Sequence, residues 1–468
     1  MSNLFRKPKA VLSEDSKSIY EIFNLTENPF PNTPFVNKVS DDNRYNGRIY
    51  ESEIREAEHN QIIENFVKIS QSDPNHIRLG YINDNSYVGR GNGKSAFTLN
   101  LIDKINREYC LDISNDINKC FGLHITPEPS GRTKTFYDFV DLIFEEIINK
   151  DIIKYSLASL RFEAISEIEN DKVNINEEFE DVLDSINKLN SSDFFGDKKI
   201  DISKITNHIY KKKGFEKISS NFPLTRDRNN FFGSSVTTQR DFSTFYYELK
   251  KGKERMNFVF NDLVLFLKAS GFNGSYLIID DFERIPDFQS EKLKQEFALE
   301  IRTNFFDGIL ENAKIGFFNL ILVLHAGVPR LIEKAWAVSG MNRRSPLLNE
   351  DGDFSKHIIY FNKLNVNHAK SLLEIYLEQY RINPEANKSI KPFTDGAVLL
   401  ISEKSEYNAS SILEKAHILI EEAIKDKADV IDEEYVNSKL GKKQEWSYED
   451  NNDISKEESD SLFTKSKK

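Results

Sequence analysis

The sequence predicts an α/β fold: a parallel sheet covered by helices, with a mainly helical insertion inside it and a small α-helical domain after it. Two observations carry this. Between residues 77 and 361, short apolar runs of strand length alternate with longer stretches of helical spacing, the pattern of parallel strands joined by helical crossovers. Beyond residue 367 the strand-like runs stop and only helical spacing remains.

Taken in order, residues 1–27 are polar and read as a flexible N-terminus. Residues 28–35, Asn-Pro-Phe-Pro-Asn-Thr-Pro-Phe, carry three prolines and read as an extended strap, because proline removes a backbone donor and resists the helix. A helix is expected at 51–69 and a first strand at 77–82, followed by a polar break at 83–86. Further strands are expected at 120–126, 275–280, 317–325 and 357–361. The stretch between the second and third strands is far longer than one crossover needs and is charged and helix-periodic, as at 136–148 and 256–268. Helices are expected at 291–310 and 330–338, and then at 369–381, 394–404, 410–425 and 432–440. The resulting division is 28–135 and 271–365 for the two parts of the sheet domain, 136–270 for the insertion, 366–440 for the terminal helical domain, and 441–468 for a polar, disordered tail.

Gly89-Arg90-Gly91-Asn92-Gly93-Lys94-Ser95 precedes a helix expected at 96–106. Glycines let a loop turn its N–H groups inward, and a helix N-terminus adds positive potential, so the stretch reads as a phosphate cradle. Lys94 is expected to reach the β- and γ-phosphates of ATP, and the hydroxyl of Ser95 to hold Mg²⁺. Val88 stands where the first glycine of G-x-x-x-x-G-K-[ST] belongs. The alternative is a glycine-rich turn that binds nothing. The run 275–284 ends in Asp280, Asp281 and Glu283 and reads as a buried strand delivering carboxylates to the carboxyl edge of the sheet. Asp280 is expected to act on Mg²⁺ through a coordinated water, and Asp281 or Glu283 to polarise the attacking water. Together the two motifs make the expected sheet a P-loop NTPase sheet.

The order of strap, both motifs, an apolar strand with a polar tip, an arginine-bearing loop and a terminal helical domain resembles the AAA+ ATPases, in particular the branch of origin-recognition ATPases, transposition regulators and STAND-type NTPases. The resemblance covers residues from about 28 to 440, apart from the insertion. It implies that His325 takes the sensor 1 place and that Arg343 or Arg344 is presented to a neighbour's γ-phosphate; a strand-end histidine and solvated arginines are the alternatives. The family's Gly-x-Pro-Arg turn aligns with residues 407–413, where Ser410 and Ser411 replace Pro-Arg. With Asp281 in the place of the usual glutamate, this points to slow hydrolysis and a long-lived ATP state. The resemblance implies an ATPase whose ATP state controls assembly, as a homo-oligomer or with a separate effector, in a DNA-transaction or anti-phage defence complex. Its alternatives are a DNA-stimulated loader and a non-hydrolysing scaffold.

Composition narrows the rest. The formal charge is -12, and no run of about 18 apolar residues is present, so the expectation is a cytoplasmic protein with no membrane contact. Cys110 and Cys120 are too few for a disulfide framework or a zinc site. Against the acidic total, residues 211–255 hold eleven basic and five acidic residues, with Phe231, Phe232, Phe245, Tyr246 and Tyr247 among them. That composition suits a nucleic-acid surface, and equally an amphipathic insert with a solvated face.

Overall fold

The computed structural model describes residues 18–69, 73, 76–84, 91–111, 119–173, 178–230, 235–307, 316–325, 328–346, 355–383 and 388–441. The expectations placed on the polar N-terminus before residue 18, on Tyr87, Val88, Gly89 and Arg90, on Phe231 and Phe232, and on the tail from 442 lie outside these residues. Two compact units are present, Phe35–Leu364 and a second made of the first 34 residues with those from Asn365 onward.

The larger unit holds a five-stranded sheet, parallel in every described pair. Its strands are β1 (Leu79–Asp84), β2 (Cys120–Ile125), β3 (Gly274–Ile279), β4 (Phe318–Leu324) and β5 (Ile358–Phe361), in the order β2-β3-β4-β1-β5. β1 lies between β4 and β5, with Leu79 opposite Leu320 and Tyr81 opposite Ile358. All carboxyl ends therefore open on one edge, and the ends of β1 and β3 lie on either side of that of β4.

Both faces are buried, and the period of two divides each strand between them. Ile82, Cys120, Tyr276, Ile278, Ile321, Val323, Ile359 and Phe361 join one core with Ile62 of α1 (Glu56–Ile62) and with Phe97, Leu101, Ile102 and Ile105 of α2 (Lys94–Ile105). Tyr81, Leu123, Leu277, Ile279, Leu320 and Leu322 join the other, with Phe139, Ile143 and Ile147 of α3 (Phe136–Asn149) and Leu157, Leu160 and Ala164 of α4 (Ile152–Ile168). The helical segment between β2 and β3 is thus one of the sheet's covering layers as well as an insertion, because a parallel sheet needs apolar cover on both sides. The expected helix at 256–268 runs as Lys253–Asn257, a π-helical Phe258–Leu263 and Val264–Ala269.

Arg161 is buried within this layer and its charge is met on the spot. It donates to Asp227 at 3.0 Å, to the carbonyls of Leu189 at 2.9 Å and Thr237 at 2.7 Å, and to Asn190 at 3.0 Å. In the smaller unit, helices Val366–Gln379, Asp395–Lys404, Ala409–Asp426 and Glu433–Leu440 pack together. The strap belongs with these helices. Phe30 is buried against Tyr376 and Phe393, with ring centroids 6.1 and 6.0 Å apart, and Asn28 donates to Glu421 at 2.8 Å.

Two predictions follow from the buried polar groups. Asp227→Ala leaves the Arg161 guanidinium uncompensated and is expected to lower stability by about 3–5 kcal/mol; an unchanged denaturant midpoint would count against this. His76 and His357 are held below their usual pKa of 6.5, chiefly by burial. The unfolded chain takes up protons near that value while the folded one resists, so their contribution is complete above it and is lost as pH falls below. The urea midpoint is expected to drop between pH 7.5 and 5.5, and to drop less in His357→Gln.

Candidate functional site

Gly93 caps α2 with a φ of +82°, in the left-handed region that favours glycine, and Gly91 has a φ of +112°. A Cβ added at Gly93 would meet nothing within 4 Å, so the backbone conformation rather than crowding calls for glycine, and the space before the helix stays clear. Ser95, in the first turn, is half-buried. Gly93 and the helix N-terminus thus leave open space of the kind an anion requires.

Lys94 does not project freely into that space. Its Nζ lies 2.7 Å from Oδ2 of Asp84, the last residue of β1, and both side chains are almost wholly buried. Oδ1 of Asp84 accepts a hydrogen bond from Asn92 at 2.8 Å. One carboxylate thus holds two residues of the loop. Arg55, also buried, donates to the Asn92 carbonyl at 3.3 Å, pairs with Glu58 at 3.0 Å and lies over the Phe361 ring. Neither Asp84 nor Arg55 was singled out from sequence. Asp84 was visible only as part of a polar break, and its signal is an acid that ends an apolar strand just ahead of a loop lysine.

At the end of β3, Asp280 is buried, and its Oδ1 accepts the N–H of Asp281 at 3.1 Å. Asp281 has a φ of +49°, a strained conformation for a non-glycine residue. It pairs with Arg284, which also donates to the Pro127 carbonyl at 3.1 Å. Nε2 of His325, just past β4, lies 3.4 Å from Asp281 Oδ1 and 3.2 Å from Glu283 Oε1. Asp281, Glu283 and His325 thus converge across two strand ends, each offering a ligand atom within 4.8 Å of the others, a spacing that could also hold a divalent cation. His124 of β2 adds an imidazole 3.7 Å from the other oxygen of Asp280, and burial pushes its pKa down, which keeps it neutral.

The remaining expected residues differ in their surroundings. Arg344 is paired with Asp307 at 2.7 Å, whereas Arg343 is exposed and no described residue pairs with its guanidinium. Ser411 follows the cap formed by Asn408, whose side chain accepts its N–H at 3.1 Å, and Ser410 lies in the same first turn. Within 211–255 five of the eleven basic residues are paired with acids. Lys212 and Lys213 pair with Glu163, Arg226 with Asp241, and Lys251 and Arg255 with Asp141. Tyr246 is buried, and Tyr247 donates to Glu145 at 3.1 Å. The acidic stretch at 163–184 and the basic one thus partly neutralise each other. Cys120 is buried. Among the described residues, no helix is long and apolar enough to cross a membrane.

The chain matches no protein-family model and no curated protein.

Asp84→Ala removes the countercharge from a buried ammonium and is expected to cost about 3–5 kcal/mol, whereas Lys94→Met with Asp84→Asn removes both charges and is expected to cost less. Denaturant unfolding of the three proteins checks the order; equal midpoints would sink it.

Proposed function

We propose that the chain is a slow, Mg²⁺-dependent ATPase of AAA+ type. The observation that carries this reading is the convergence of the Lys94–Ser95 helix start, the carboxylates that end β3 and His325 beyond β4 along one carboxyl edge of the parallel sheet. The residues fit a Mg²⁺-triphosphate. Gly91 and Gly93 leave the helix N-terminus open, Lys94 supplies a cation, and Ser95 and Asp280 supply hard oxygen ligands. When bound, Mg²⁺ would neutralise charge developing on the phosphate oxygens. Ser95 and Asp280 would hold it, Asp280 through a water. Lys94 would orient the terminal phosphates once it leaves Asp84.

Asp281 and Glu283 are the groups that can accept a proton from an attacking water, and His325 fixes both carboxylates by lying between them. Slow turnover follows from the same contacts, since Asp281 is short and already shared by Arg284 and His325. Arg343 is the better candidate for a residue offered to a neighbouring subunit, because Arg344 is held by Asp307. On this reading the ATP state controls assembly within a DNA-transaction or anti-phage defence complex, as a homo-oligomer or with a separate effector. The ion pairs that engage Lys212, Lys213, Arg226, Lys251 and Arg255 favour it over a DNA-gripping loader.

The test is a titration with a fluorescent ATP analogue, followed by phosphate release and light scattering with and without ATP. Lys94→Ala is expected to abolish nucleotide binding. Asp280→Ala is expected to keep binding and lose Mg²⁺-dependent turnover. Arg343→Ala is expected to lower turnover of the assembled protein by about 10³-fold, with Arg344→Ala near wild type. ATP affinity and assembly unchanged in Lys94→Ala would overturn the reading, and turnover that rises with DNA and falls steeply with salt would favour the loader.

A further inference from the structure

Ser95 and Asp280 stand on different elements, α2 and the end of β3, and a buried chain of polar contacts joins them. Thr98, one turn after Ser95, is wholly buried, and its Oγ1 lies 3.0 Å from the Ser95 carbonyl and 3.1 Å from Nε2 of His124. The same Nε2 lies 3.7 Å from Oδ2 of Asp280. The carbonyl can only accept, so the Thr98 hydroxyl gives its one proton to Ser95. Its oxygen must then accept from His124, which places the imidazole proton on Nε2. That N–H donates to the Thr98 oxygen, with Oδ2 of Asp280 3.7 Å away, beyond hydrogen-bond distance but within electrostatic reach, while Nδ1 is buried with no described partner. A ring serving only to fill the core gains nothing from this orientation, which leaves one nitrogen orphaned at a cost of about 1–3 kcal/mol.

The approach of the two elements is built into the sequence. Cys120, Gly122 and His124 share the β2 face that meets α2. A Cβ at Gly122 would lie 2.5 Å from Cδ1 of Ile102, so glycine leaves room for that side chain where α2 packs on the strand.

We infer that Thr98 and His124 are positioning residues that lock the Ser95 and Asp280 halves of the divalent-cation site to one another. The inference rests on the reading of the site as one for Mg²⁺ and nucleotide. Neither side chain touches phosphate; they act by fixing the Asp280 carboxylate and the first turn of α2 in one geometry. Partners of this outer kind typically change metal affinity or activity by about 10–100-fold.

The experiment uses the full chain and two readouts, the Mg²⁺ concentration that gives half-maximal phosphate release and the affinity for a fluorescent ATP analogue in EDTA. Thr98→Val removes the hydroxyl at nearly constant volume. It is expected to raise the half-saturating Mg²⁺ by about 10–100-fold while leaving the EDTA affinity unchanged, and Thr98→Ser is expected to restore the wild-type value. Should Thr98→Val fail to fold, His124→Gln, which offers an amide N–H, compared with His124→Leu makes the same test. A wild-type Mg²⁺ requirement in Thr98→Val or His124→Leu overturns the positioning role and leaves the nucleotide site standing. So does an equal loss of affinity in EDTA, which marks a merely structural part. A wild-type chain that binds the analogue neither with Mg²⁺ nor in EDTA overturns the nucleotide reading itself.

Discussion

Burial of the parallel sheet on both faces is the constraint from which the rest of the larger unit follows. With α1 and α2 on one side and α3 and α4 among the helices on the other, the charged side chains at the ends of β1 and β3 gather at the carboxyl edge. Every charge brought to that edge from a dry interior then needs a partner. Lys94 has Asp84, Asp281 has Arg284, and Glu283 has His325. The candidate site therefore combines two ion pairs with an imidazole set between two carboxylates.

That compensation bears on how such a site would work. A lysine held by a buried carboxylate is poised but occupied, and a phosphate would have to compete for it. A carboxylate already engaged by a guanidinium has less to offer a water molecule. In a nucleotide site the second effect would slow turnover, in keeping with the short side chain of Asp281, whereas the first would weaken the hold on phosphate.

The strands and most helices were legible because their signals are local. Continuous apolar runs marked β3 and β4, and apolar spacing marked Ala409–Asp426. The loop glycines and the acids after β3 were legible for the same reason, since glycine at positive φ and acids at a strand end show in a few consecutive residues. Asp84, Arg55, Thr98 and His124 were not, because each matters only through a partner far along the chain. The charges of 211–255 show the same limit: two of their countercharges, Glu163 and Asp141, lie outside the window in which the charge was counted.

By itself, then, the sequence determined the α/β class, the places of the strands, the glycine-rich loop pattern and the acidic end of β3, all of which depend on periodicity and short-range chemistry. Only the tertiary structure decided the strand order, the pairing of Lys94 with Asp84, the meeting of Asp281, Glu283 and His325, and the packing of the strap with the terminal helices. These depend on which distant segments are brought within a few ångströms. Apolar patterning specifies that a face is buried but not which segment covers it, whereas a buried charge is tolerable only beside one particular partner.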